Sequence, residues 1–154
     1  EHIADQRRRI LFQDLAVGGG TPWGAGPGLG RVGGGGARLR SEAGLRVGAV
    51  SDSKGGTHYP KGVDLDALQE HRQVRGSIAG FKGGEDVSNE ELLELPVTVL
   101  VPAAVENQIT VRNADRVKAR LITEGANVPV TPEADRILSE RDVFLIPDLL
   151  ANSA

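Results

Sequence analysis

From Leu45 onward, short apolar runs alternate with longer stretches whose apolar residues have the spacing of a helix. The apolar runs have the length of strands and lie at residues 46–51, 97–101, 120–123 and 143–146. This alternation is expected of parallel strands joined by crossover helices, because a parallel pair needs a long connection. The sequence therefore predicts an α/β fold with a doubly wound parallel sheet.

Two of the intervening helices have recognisable N-terminal caps. Asp64 is placed to cap a helix over residues 65–74, since its carboxylate can accept from free backbone N–H groups of the first turn. Ser88 and Glu91 have the Ser-x-x-Glu spacing of a capping box, in which each side chain bonds to the backbone of the other residue. This pair predicts a second helix over residues 89–95.

Turn-forming residues mark further boundaries along the chain. Residues 56–62 include Pro60 and two glycines, and they predict a turn-rich loop. Thr131 followed by Pro132 supplies an N-cap and a proline at the first helical position, which predicts a helix over residues 133–140. The residues of this helix that should face inward are Ala134, Ile137 and Leu138.

The composition excludes several classes of function. The 18 basic and 21 acidic residues give a formal net charge of -3, without the basic surface that nucleic acid or an anionic membrane requires. No apolar run approaches the roughly 20 residues that span a bilayer, so we expect a soluble protein. The absence of cysteine excludes disulfides and thiol nucleophiles and agrees with a cytoplasmic location. Because the chain lacks methionine and begins at Glu1, we expect a piece of a longer protein.

A glycine motif indicates nucleotide binding. Gly28, Gly30 and Gly33 have the Gly-x-Gly-x-x-Gly spacing, and Asp52 follows at close to the roughly 20-residue interval of the dinucleotide fingerprint. The glycines permit a tight turn, the approach of backbone N–H groups to a pyrophosphate, and close helix packing, while the acid accepts hydrogen bonds from a ribose. In a segment as glycine-rich as residues 18–36, the alternative is a glycine-rich loop without a ligand.

Four longer segments resemble the coenzyme domain of glutamate dehydrogenases. They are residues 44–64 (GLRVGAVSDSKGGTHYPKGVD), 89–110 (NEELLELPVTVLVPAAVENQIT), 123–135 (TEGANVPVTPEAD) and 144–152 (FLIPDLLAN). The resemblance runs from about Gly28 to the end of the chain and implies a Rossmann-like doubly wound parallel sheet. It assigns residues 23–154 to a dinucleotide-binding domain and leaves residues 1–22 as an unassigned N-terminal segment.

The same resemblance implies a set of cofactor-binding residues. The phosphates would lie at the glycine motif, the adenosine ribose near the end of the next strand, the cleft wall at a Pro-Ala-Ala turn, and the nicotinamide near two asparagines, whose amides both donate and accept. In that order, the implied residues are Gly28, Gly30, Arg31, Val32 and Gly33, then Asp52 and Ser53, then Ala103 and Ala104, then Asn107 and Asn127.

The first strand and the glycine-rich segment depart from the family pattern. The family has an apolar strand before the glycine motif, whereas residues 23–27 are Trp-Gly-Ala-Gly-Pro, in which proline removes a ladder donor and glycine adds no side chain to the core. Arg31 stands where the family usually has asparagine, and the three glycines at 34–36 each cost a helix about 1 kcal/mol relative to alanine. We therefore expect the first strand and the glycine-rich segment to be poorly formed.

The choice of cofactor is left open between two nicotinamide dinucleotides. A carboxylate at Asp52 favours the unphosphorylated ribose of NAD, which is the preferred prediction. Ser51, Ser53 and Lys54 together could instead hold the 2'-phosphate of NADP.

The residues that the family uses for catalysis are not found in this sequence. The resemblance implies a lysine and an aspartate in another domain, and Lys82, although flanked by glycines, is expected to be a solvated loop residue. His2, His58 and His71 are isolated, without the spacing of a metal site or an adjacent carboxylate pattern. No catalytic or metal-binding residue is therefore predicted.

Three functions are compatible with these observations. The preferred one is the NAD(P)-binding domain of an oxidoreductase that oxidatively deaminates L-glutamate to 2-oxoglutarate and ammonia, with the chain inactive by itself. The alternatives are a non-catalytic module that binds the nucleotide or pairs with intact dehydrogenase subunits, and a decayed dehydrogenase fragment.

Overall fold

A computed structural model describes residues 14–18, 46–52, 55–103 and 106–151. These residues form one seven-stranded sheet in the order β4-β3-β2-β1-β5-β6-β7. The strands are β1 (Asp14–Gly18), β2 (Arg46–Asp52), β3 (Gly55–His58), β4 (Glu85–Val87), β5 (Val99–Pro102), β6 (Leu121–Thr123) and β7 (Phe144–Ile146). The predicted α/β fold is confirmed.

Five of the strands form a continuous parallel set. β1 pairs in parallel with both β2 and β5, and β5, β6 and β7 continue the parallel pairing on one side. On the other side, β3 pairs antiparallel with β2 and β4 pairs antiparallel with β3. The four apolar runs of the sequence correspond to β2, β5, β6 and β7, with boundaries that differ by one or two residues.

The position of the first strand differs from the sequence-based prediction. The strand between β2 and β5 is Asp14–Gly18, which lies in the N-terminal segment that the sequence left unassigned. The predicted strand at residues 23–27 lies outside the described residues. The pattern DLAVG carries three apolar residues, so it suits a strand paired on both sides better than a run of glycine and proline does.

The prediction of a loop over residues 56–62 is wrong for its first three residues. Gly56, Thr57 and His58 belong to β3, and only the part around Pro60 forms a turn. The two glycines of β3 gave no strand signal, but Gly56 allows close packing here, because a side chain on it would meet Ser51 and Leu92 at 3.1–3.2 Å. Tertiary packing therefore overrides the low strand propensity of glycine.

The two predicted caps are both present. Helix α1 (Leu65–Arg75) begins after Asp64, whose Oδ1 accepts from the backbone N–H groups of Asp66 and Ala67, and ends at Gly76 with a φ of 71°. A left-handed residue at this position is typical of helix C-termini. Helix α2 (Asn89–Leu93) begins with the complete capping box of Ser88 and Glu91, and it ends two residues earlier than predicted.

The described residues after β5 form two α-helices and one short 3-10 helix. Helix α3 (Pro132–Glu140) begins after Thr131, whose hydroxyl accepts from the N–H of Ala134 as predicted. The 3-10 helix (Ala114–Arg116) precedes β6, and α4 (Asp148–Ala151) follows β7. The side chains of Ala134 and Leu138 are buried and Ile137 packs against the same core, which confirms the predicted inward face of α3.

Apolar side chains cover both faces of the parallel sheet. Neighbouring residues of β5 point to opposite faces, so Val99 and Val101 pack with Leu121 in one cluster while Leu100 packs with Ile122 in another. A strand buried on both faces has a continuous apolar sequence rather than an alternating one. This is why β5 was recognisable from its sequence although it has only four residues.

The register of β2 shifts at Gly48. Residues Leu15 and Ala16 of β1 face Val47 and Ala49, so that Gly48 is passed over in the pairing. Such a bulge moves the following side chains to the other face. Val47 and Ala49 accordingly belong to different core clusters, although an unbroken strand would place them on one face.

Candidate functional site

The strand order reverses between β1 and β5, the point at which folds of this kind have a crevice. From β1 the chain adds β2, β3 and β4 on one side, and it then returns to the other side of β1 to add β5, β6 and β7. In open α/β sheets, ligands bind where the strand order reverses, outside the carboxyl ends of the strands. Gly18 and Pro102 are paired at this end of β1 and β5, so this edge is the candidate site.

Two small residues that follow the neighbouring strands β5 and β6 pack closely together at this edge. Ala103 directly follows β5, and Gly125 lies in the loop after β6. A side chain on Gly125 would lie 3.0 Å from Cβ of Ala103 and 3.2 Å from Val101, so any larger residue would have to move these neighbours by a few tenths of an ångström. The N–H groups of Gly125 and Ala126 both donate to the carbonyl of Pro102, at 3.0 and 3.1 Å. Ala103 therefore lies in the predicted position at the end of a parallel strand.

The structure brings Asn107 and Asn127 to the same edge. Asn107 lies in the loop after β5, and its N–H donates to the carbonyl of Val128, next to Asn127, at 3.1 Å. The two loops are paired further along, where Ile109 forms a parallel bridge with Val130. Both asparagine side chains are exposed, and Asn107 has a left-handed φ of 55°. Their amides are thus available to a ligand at the carboxyl ends of β5 and β6.

Asp52 has a different environment from the one that ribose recognition would require. Its side chain is buried at the end of β2, and Oδ2 accepts from the hydroxyl of Ser77 at 2.8 Å and from the N–H of Ile78 at 2.9 Å. Its backbone carbonyl accepts from the side-chain amide of Asn89 at 3.2 Å. Asp52 therefore connects the residues after α1 to the sheet, and a ribose would have to compete with these bonds.

Sequence reasoning missed a buried carboxylate beside Asn127. Glu124 follows β6 directly and is only 5% exposed. Its Oε1 accepts from the N–H of Val130 at 3.3 Å, and its Oε2 accepts from the N–H of Asp148 at 3.0 Å. Burial raises the pKa of this carboxyl, the two backbone bonds oppose the shift, and the nearby charges of Asp148 and Asp135 add to it. The available signal was an acidic residue immediately after a buried parallel strand.

Several predicted site residues lie outside the described residues. They are Gly28, Gly30, Arg31, Val32, Gly33, Ser53 and Ala104. In the sequence, Gly28 is ten positions beyond Gly18, the last residue of β1, whereas the fingerprint places its first glycine directly after the strand. The role of this motif at the phosphates therefore stays a prediction.

The two described histidines lie away from this edge. Nδ1 of His58 is 4.0 Å from a carboxylate oxygen of Glu85, across the β3–β4 pair. His71 contacts the carbonyl of Ala79 through Nε2 at 3.1 Å and stacks edge-on against Phe81. Both positions support local structure.

Lys82 is exposed in the turn before β4, as predicted for a solvated loop lysine. Within the described ranges, no group of three or more His, Cys, Asp or Glu residues is arranged to hold a metal ion. None of the helices described here has the length and apolar character needed to cross a membrane.

The sequence matches one protein family over most of its length. The glutamate/leucine/phenylalanine/valine dehydrogenase family matches residues 25–154. A glutamate dehydrogenase of Thermotoga maritima is 50% identical over 127 residues, which are 82% of this chain and 30% of that protein. Glutamate dehydrogenase B of Halobacterium salinarum is 44% identical over 147 residues, or 96% of this chain and 34% of that protein. The chain thus spans about a third of the length of these curated relatives.

Solved structures agree with this family match. The hetero-hexameric glutamate dehydrogenase of Thermus thermophilus superposes with a TM-score of 0.77 at 31% identity, covering 97% of this chain and 33% of that one. The L-tryptophan dehydrogenase of Nostoc punctiforme has a TM-score of 0.61 at 22% identity, over 96% of this chain and 36% of that one, and at this identity shows the fold alone.

Proposed function

The chain belongs to the glutamate/leucine/phenylalanine/valine dehydrogenase family, and on this premise we propose that it is the domain that binds the nicotinamide dinucleotide. The observation that carries the proposal is the edge where β5 and β6 end. There, Ala103 and Gly125 form a wall without bulky side chains, and two exposed asparagines lie on paired loops. This edge borders the β1–β5 crevice, where such folds bind their ligands.

The residues at this edge fit a dinucleotide. Because Gly125 packs closely on Ala103, these two positions offer no bulky side chain that would block a flat ring at this edge. The amides of Asn107 and Asn127 supply both donors and acceptors, as the carboxamide of nicotinamide requires. A bound dinucleotide supplies hydride transfer, while these residues of the chain bind and orient it.

The whole enzyme is proposed to oxidise L-glutamate to 2-oxoglutarate with release of ammonia. Its relatives from Thermotoga maritima and Halobacterium salinarum are named glutamate dehydrogenases, and each is about three times as long as this chain. We place the catalytic lysine and aspartate in a part of the enzyme that this chain does not include. The chain by itself is then a binding domain without turnover.

NAD is the proposed cofactor, with NADP as the alternative. The preference rests on Asp52, since a carboxylate near the adenosine ribose repels a 2'-phosphate even when its Oδ2 accepts from Ser77 and Ile78. Intact dehydrogenase subunits are a proposed partner of the domain.

A titration of purified chain with NADH, followed by nicotinamide fluorescence, tests the proposed function. We expect a saturable change, with NADPH binding more weakly because of the charge at Asp52. The absence of saturation up to millimolar NADH would contradict the proposal. Adding glutamate and NAD to the isolated chain should produce no NADH, and steady production would contradict the assignment of the catalytic groups to another part of the enzyme.

A further inference from the structure

A buried carboxylate fixes the loop that carries Asn127. Glu124 accepts two backbone hydrogen bonds through different oxygens, one from Val130 at the far end of the loop and one from Asp148 at the start of α4. One side chain thereby joins the loop after β6 to the segment after β7. The side chain is only 5% exposed, so these bonds are protected from water.

Asp148 also holds the loop that carries Asn127. Its Oδ2 accepts from the N–H of Val128 at 3.2 Å, while its own N–H donates to Glu124. Further backbone bonds hold the residues before Asn127, because Gly125 and Ala126 both donate to the carbonyl of Pro102. The backbone is therefore fixed on both sides of Asn127, whose side chain remains exposed.

The choice of a carboxylate at position 124 has a chemical reason. A buried charge is costly unless it is hydrogen-bonded, and the nearby Asp148 and Asp135 make it costlier. Only a carboxylate, which has no donor, can accept from N–H groups at both oxygens. A glutamine of the same shape would turn an NH2 group toward one of the two N–H donors. Burial of this charge costs free energy, and the two hydrogen bonds that the charge accepts fix the loop.

We propose that Glu124 is a positioning residue that holds Asn127 in place for the nicotinamide end of the dinucleotide. The inference rests on the proposed function, since it assumes that the carboxyl edge of β5 and β6 binds the cofactor. We expect Glu124 itself to make no contact with the ligand. It acts by setting the position of the Asn127 backbone, and Asp148 supports the same loop.

Binding of NADH and of ADP-ribose to the wild-type chain, Glu124→Gln and Asp148→Asn tests this role. ADP-ribose keeps both riboses and both phosphates of the dinucleotide but lacks the nicotinamide, so it cannot make the proposed carboxamide contact with Asn127. Loss of one charge-assisted hydrogen bond should raise the Kd for NADH about tenfold in Glu124→Gln. The Kd for ADP-ribose should change less than about twofold, and Asp148→Asn should show the same selectivity. Glu140→Gln, an exposed substitution on α3, is the matched control and should change neither value.

The outcomes separate the inference from the proposed function. If the wild-type chain binds ADP-ribose and NADH but Glu124→Gln weakens both equally, Glu124 only stabilises the fold and the inference is wrong. Unchanged NADH binding in Glu124→Gln also overturns the inference and leaves the proposed function standing. If the wild-type chain binds neither ligand, the proposed function itself fails. If Glu124→Gln does not fold, Asp148→Asn tests the inference instead. Asp148 is only half-buried, and asparagine has nearly the same size, so this substitution opens no cavity in the core.

Discussion

Two glutamates of this chain respond to their surroundings in opposite directions. The exposed Glu91 accepts from the backbone N–H of Ser88, which lowers its pKa because the bond favours the charged form. Burial raises the pKa of Glu124, because it disfavours the charged form. The residue type is therefore a poor guide to ionisation, and the local partners decide it.

The capping box should make the stability of the protein depend on acid pH. Because the pKa of Glu91 is lowered by folding, its stabilising contribution is complete above the ordinary pKa of glutamate and is lost as the pH falls through the lowered value. We expect Glu91→Gln to remove part of this dependence. The free energy of unfolding, measured by urea denaturation at pH 7 and pH 3, should fall less in the variant than in the wild-type chain.

Glu90→Gln is the matched control for this prediction. Glu90 is an exposed neighbour on the same helix but lies outside the capping box. Its substitution should leave the difference between the two pH values as it is in the wild-type chain. An equal effect of both variants would show that general charge, and not the capping bond, causes the dependence.

The candidate site was predictable to the extent that its residues have a local signature. Ala103, Asn107 and Asn127 follow buried strands, and strands that end at one edge bring the residues after them together. The bonds of Asp52 with Ser77 and Ile78 span about 25 positions of the sequence and could not be predicted. The same holds for Glu124, whose partner Asp148 is 24 positions away.

At the scale of elements, the helices were easier to predict than β3 and β4, the two antiparallel strands at one side of the sheet. A cap is a pattern of two or three neighbouring residues, so Asp64, Ser88 with Glu91, and Thr131 were sufficient. β3 and β4 contain glycine and acidic residues with little strand propensity, and they form because each finds a partner strand. Their existence depends on pairing between distant residues, which a single sequence does not reveal.

The position of β1 gives a prediction at this scale. Ala16 lies in the middle of a strand that pairs on both sides, where proline removes a ladder hydrogen bond. Ala16→Pro should lower the free energy of unfolding by about 2 to 3 kcal/mol, which is large for a single substitution. If residues 23–27 formed the first strand instead, Ala25→Pro would be the more destabilising of the two variants. Thermal denaturation of both variants compares them directly.

At the scale of the whole molecule, the strand order of the single sheet sets the position of the proposed binding site. The strand order reverses at β1, because β2 to β4 lie on one side of it and β5 to β7 on the other. The loops after β5 and β6 are paired beside that point. The fold class was predictable because buried parallel strands have continuous apolar sequences, as β5 does. The location of β1 was not, since its five residues are separated from the rest of the sheet by the glycine-rich segment.

The most direct test of the account is a two-dimensional NMR titration of the labelled chain with NADH. Binding at the proposed edge predicts saturable shifts in the amide signals of residues 106–109 and 125–128, which lie at the carboxyl ends of β5 and β6. The amides of residues 112–118, which precede β6 at the opposite edge, should remain unchanged. Shifts confined to residues 112–118, or none at saturating NADH, would contradict the claim that this domain binds a dinucleotide at the crevice.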